Sequence, residues 1–134
     1  MSQVIIFTNE MGGVSVCYPT GELDIELTKA KDTPEHSIIV DASALPEADY
    51  DFFDAWELQG GVVSVSLVKA KSLTKERLRA ERAPLLQAQD VLYMKALEQG
   101  QDTAAIVTEK QRLRDITNLA DACTTTAELR ALSV

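Results

Sequence analysis

The sequence predicts an α+β protein: a small antiparallel-rich sheet domain with one helix, followed by a long helix and an antiparallel helical hairpin. Three observations predict it. Residues 1–68 hold short apolar runs and alternating segments separated by Gly-Gly turns, as strands do. From Lys69 the apolar period changes from two to about 3.6. The charge divides at the same place, with 12 acidic and 2 basic side chains in residues 1–68 against 9 and 11 in residues 69–134, in a chain of net charge −8. The expected units are therefore 1–68, a small α+β domain, and 69–134, a helical arm and hairpin.

In the first part, Val4–Phe7 reads as a buried, β-branched strand. Gly12-Gly13 permits the positive φ of a hairpin turn, and Val14–Tyr18 alternates like a strand with one wet face. Glu22–Lys31 is a short helix, with Leu23, Leu27 and Ala30 on one face and lysines at its end, where the helix dipole favours them. Ser37–Asp41 is a third strand, and Pro46 opens a turn near Ala44–Glu47. Phe52–Leu58 reads as a fourth strand, and Val62–Val68, after the Gly60-Gly61 turn, as a fifth.

In the second part, residues 69–99 are rich in strong helix formers, and Leu78, Leu85, Leu86, Leu92, Tyr93, Ala96 and Leu97 fall on one stripe. Pro84 predicts a kink in one helix rather than the start of a second. Gly100 suits the position just past a helix, and Asp102 or Thr103 an N-cap. Ala104–Leu119 is the returning helix, placing Leu86, Leu92, Tyr93 and Leu97 against Ile106, Leu113 and Ile116. Thr125-x-x-Glu128 is a capping box that starts a last helix, Ala127–Leu132.

No residue set amounts to an active site. His36 is the only histidine, so a multi-histidine metal site cannot form. The acids Glu47, Asp49, Asp51 and Asp54 lack the glycine and closing glutamate of a calcium loop and read as a solvated turn. Gly12-Gly13 is not followed by a phosphate-binding motif. The expectation is no catalytic, cofactor-binding or metal-binding residues, no cofactor and no enzyme activity. The acidic balance argues against nucleic-acid binding, and no apolar run suits a membrane span. The opening, MSQVIIFTNE, reads as a strand rather than a signal peptide, and Cys17 and Cys123 as free thiols. The basic run Lys69–Arg82 reads as a solvated helix face, or one attracted to the acidic half of another subunit.

Four blocks in order carry a resemblance: Arg82-Ala83-Pro84-Leu85-Leu86, Asp90–Glu98, Lys110–Thr117 (KQRLRDIT) and Thr124–Leu129 (TTTAEL). Together residues 69–134 resemble the C-terminal region of tail assembly chaperone-like proteins of tailed bacteriophages, of the tail-fibre assembly type. The end, Leu129–Val134, departs from that pattern in carrying no Trp-Pro pair. The resemblance implies a phage tail or tail-fibre assembly chaperone that binds a tail or tail-fibre protein in the host cytoplasm and has no catalytic residues. The alternative is a permanent structural subunit of the virion tail. Phe53 and Trp56 are the candidate aromatic anchors for a partner, with Leu86, Tyr93 and Met94 on the arm, and a homo-oligomer is an open possibility.

Overall fold

The computed structural model describes residues 2–134 and has the α+β architecture expected. It divides into two compact units, Met1–Ala70 and Lys71–Val134.

The first unit is built on a three-stranded antiparallel sheet in the order β2-β1-β3, from β1 (Gln3–Thr8), β2 (Val14–Cys17) and β3 (Ile38–Asp41). The register pairs Ile6 with both Val16 and Ile38, and Val4 with Val40. Because partners across a ladder share a face, these side chains form one apolar layer. The turn between β1 and β2 is closed by Asn9, whose Oδ1 accepts from the Met11 and Gly13 amides at 3.0 Å.

Strands β2 and β3 flank β1, both antiparallel to it, and so run parallel to each other. Helix α1 (Ile25–Asp32) connects them and must cross the sheet. Its buried residue is Thr28, whereas Leu23, Leu27 and Ala30 are exposed, so the face expected to pack inward looks outward. The helix is held by polar contacts at its end, where Thr33 Oγ1 lies 2.8 Å from Ser37 Oγ.

The stretch expected as a fourth strand differs most. Residues Glu47–Ala55 form 3-10 turns with non-helical backbone at Asp49 and Phe52, and strand β4 begins only at Trp56 and runs to Gln59. It pairs with β5 (Val62–Val65), which ends three residues short of expectation because α2 has already begun at Leu67. The 3-10 turns bring Tyr50 and Phe53 onto Trp56, with ring centroids 5.1 and 4.9 Å away. Trp56 joins the core of Val4, Ile6, Val14, Leu45 and Val63, and its indole N–H donates to the Asp49 carbonyl at 3.2 Å.

Helix α2 runs unbroken from Leu67 to Glu98 with Pro84 inside it. Pro84 leaves the carbonyl four residues back without its helical donor. Both Ala80 and Pro84 are exposed, so that carbonyl lies on a face water can reach. The helix ends in a Schellman motif: Gly100 has φ +67°, the Gln101 amide donates to Ala96 O at 2.8 Å and the Gly100 amide to Leu97 O at 3.2 Å. Asp102 Oδ1 then accepts from the Ala104 amide at 3.1 Å as the chain re-enters a helix.

That helix, α3, spans Ala104–Asp115 and stops short of Leu119; a separate turn, α4 (Asn118–Asp121), follows, then α5 (Thr126–Ala131). Thr125 Oγ1 accepts from the Glu128 amide at 3.2 Å, which is the N-cap contact of the expected capping box. The buried side chains of this unit include Leu78, Ala96, Leu113, Ile116, Ala120, Cys123 and Leu129. Cys17 and Cys123 are both free thiols.

Candidate interaction surface

The basic side chains of α2 are the first residues to place, because sequence alone left them facing solvent or another subunit. Most are occupied within their own unit. Lys71 Nζ donates to the Asp121 carbonyl at 3.1 Å, and Lys75 Nζ lies 2.7 Å from the Asp121 carboxylate. Arg77 donates to the carbonyls of Leu129 and Leu132 at 3.2 and 2.8 Å while pairing with Glu81 at 2.9 Å. Arg82 donates to the carbonyls of Leu113 and Arg114 at 3.2 and 2.7 Å. These acceptors lie in the last turns of α3, α4 and α5 or just past them, where a helix carries partial negative charge. The basic run is thus a set of C-terminal caps. Lys69 pairs with Glu57 at 3.1 Å, and among the described residues Arg79 alone of this run makes no such contact, while Lys71 and Arg82 donate to neutral carbonyls and keep their positive charge.

The hydrogen bond from Lys75 holds the Asp121 carboxyl below its usual range, and that from Arg112 does the same for Glu109. In the first unit the Tyr18 and Tyr50 hydroxyls lie 2.8 Å apart, and this hydrogen bond, with some burial, pushes the Tyr50 phenol up to about 12.

Of the five candidate anchors, Trp56 is fully buried and belongs to the core, so in this fold it offers no surface to a partner. Phe53 is half-buried against the same core, and with Asn9, Met11, Gly13, Val14, Asp54 and Lys69 it lines a cleft of about 440 Å³. Leu86 and Tyr93 are half-buried on α2, and Met94 is 57% exposed. Lys110 bridges the hairpin: its ammonium pairs with Asp90 at 2.7 Å and sits 5.1 Å from the centre of the Tyr93 ring.

From Leu85 to Leu97, α2 carries apolar side chains all the way round, and a helix of that kind is ordinarily buried on more than one side. Ala96 is buried and Leu86 and Tyr93 half-buried, whereas Leu85, Val91, Leu92, Met94 and Leu97 stay exposed. Leu92 and Leu97, expected in the hairpin seam, remain about half exposed. Sequence reasoning had singled out only Met94 from this exposed set; the missing signal was the all-round character of the stretch, visible on a helical wheel.

His36 is exposed, with its Nε2 3.2 Å from the Thr8 carbonyl and its ring edge-on to Phe7. Among the described residues no group of three or more His, Cys, Asp or Glu side chains is placed to hold a metal ion, and no helix is long and apolar enough to cross a membrane. No protein-family model, curated protein or solved structure matches the chain.

Proposed function

We propose that this chain is a phage tail or tail-fibre assembly chaperone that works by binding a tail protein during assembly in the host cytoplasm. Two things support the reading: the resemblance carried by residues 69–134, and the exposed apolar side chains of α2. The second is the observation that carries it. Val91, Met94 and Leu97 follow one another at three-residue steps, are each about half exposed, and offer apolar surface of the kind that helix-in-groove recognition uses.

The test is co-expression with the tail and tail-fibre proteins of the same genome, followed by affinity capture and proteomics of purified virions. The expected result is capture of a tail or tail-fibre protein, lost in Met94→Glu, with the chain absent from finished virions. Stoichiometric presence in virions would replace the chaperone reading with that of a retained tail subunit. Failure to capture any tail protein would end both.

A further inference from the structure

A second face of the same stretch of α2 is organised differently, and we propose that it pairs with its own counterpart in a second copy of the chain, antiparallel, about a two-fold axis at Ala88. Glu81, Leu85, Ala88, Leu92 and Lys95 lie within an arc of roughly 80° when successive residues turn by about 100°. All five are accessible: Leu85 is 41% and Leu92 47% exposed, the Glu81 side chain is 37% exposed, and Ala88 and Lys95 are exposed.

Their spacing is nearly symmetric about Ala88. Glu81 and Lys95 stand seven residues to either side, and Leu85 and Leu92 three and four. An antiparallel two-fold axis at Ala88 therefore sets Leu85 of one copy beside Leu92 of the other, twice. It also sets each Glu81, which pairs with Arg77 of its own chain at 2.9 Å through one carboxylate oxygen, opposite the other copy's Lys95, an ammonium with no ion pair among the described residues. Ala88 is small enough at the crossing point for the two backbones to approach closely. An isologous contact requires this self-complementarity, with residue i meeting j and j meeting i.

Charge favours the same place. Residues 1–68 carry a net −10, so two copies repel through most of that surface. Residues 83–98 together with α3 hold four acidic and four basic side chains and carry no net charge. The pairing leaves Val91, Met94 and Leu97 outside the seam. It rests on the reading that the chain acts by association, but it names a different face and a different occupant.

Sedimentation of the full chain over about 1 to 300 µM tests it. The expected species is a dimer of about twice the 14.7 kDa chain mass. Leu92→Glu should weaken the dimer by about a hundredfold or more, since the two-fold repeats the loss, without changing the circular dichroism spectrum. In a Cys17→Ser, Cys123→Ala background, Ala88→Cys should form an inter-chain disulfide under copper–phenanthroline oxidation, whereas Gln111→Cys, on the exposed side of α3, should not. A chain that stays monomeric at the highest concentration overturns the proposal, as does a dimer that survives Leu92→Glu or crosslinks equally from both positions. A monomer that still captures a tail protein refutes the pairing alone, and a dimer that captures none refutes the assembly function alone.

Discussion

Arg82→Met removes the guanidinium that caps α3 while keeping an apolar stem of similar reach. The Arg82 guanidinium donates to two carbonyls, Leu113 O at 3.2 Å in a partly buried setting and Arg114 O at 2.7 Å in an exposed one. Hydrogen bonds from a charged donor contribute about 1.5–3 kcal/mol when shielded, and a cation at a helix C-terminus about 0.3–1 kcal/mol at the surface. Only one of the two acceptors is shielded, and ordering a long side chain opposes the gain, so the net loss should be about 1–2 kcal/mol. For a unit the size of Lys71–Val134 that corresponds to a fall of about 7–15 °C in Tm, read by far-ultraviolet circular dichroism. Arg79→Met is the control, because Arg79 is exposed and makes no contact of this kind among the described residues. Equal shifts in the two variants, or none in Arg82→Met, would refute the idea that α2 holds the C-terminal ends of the following helices.

Trp56 is the only tryptophan and is buried in the first unit, so its emission should be blue-shifted and should report unfolding there, while helical circular dichroism reports mainly the second unit; coincident transitions at all denaturant concentrations would argue against separately cooperative units. Gly100→Ala should cost about 1 kcal/mol in chemical unfolding, from the positive φ alone, because no atom lies within 4 Å of an added Cβ; Gly100→Asn should cost less. The phenol of Tyr50 is raised from 10 to about 12, so its contribution to stability is complete below pH 10 and is lost as pH rises through about 12. Tyr18→Phe should lower the Tyr50 midpoint in an ultraviolet titration. Asp121 behaves in the opposite sense: its carboxyl is lowered from 3.8, so its contribution is present above pH 4 and lost on acidification through the lower folded value, and Lys75→Met should remove that acid sensitivity.

Features governed by local rules were legible in the sequence. Gly100 and the Thr125–Glu128 cap were readable because helix ends need specific donors and backbone angles within a few residues. The β1–β2 hairpin was readable from Gly12-Gly13 between alternating runs. The errors came where tertiary packing decided. Phe52-Phe53 suggests a strand by propensity, but the acids at 47, 49, 51 and 54 favour tight turns, and a 3-10 path lets both Tyr50 and Phe53 close over Trp56. Trp56 looked like a partner anchor because large aromatics serve equally as interface and core. In α1 the partly buried Ile25 and the buried Thr28 take the inner face that Leu23 and Leu27 seemed to claim. A weak stripe of two leucines cannot fix the orientation of an eight-residue helix.

The basic run of α2 was the least legible part, and its placement changes how association must work. Charge composition cannot reveal that the acceptors are helix-terminal carbonyls 31 to 55 residues further along the chain. Those cations are held at the helix ends of their own unit, so reaching the acidic unit of another copy would cost these contacts. Between copies that keep these contacts there is repulsion between net charges of −8 and contact through the apolar stretch Leu85–Leu97, to which the two exposed Glu81–Lys95 pairs add little. Added salt screens the first and leaves the second intact. A dimer held in this way should therefore keep or gain stability as sodium chloride rises, measured by sedimentation at fixed protein concentration. Dissociation by salt would mean that ion pairs between copies, Glu81 with Lys95 or the basic run with an acidic unit, hold the dimer, and would contradict the apolar seam.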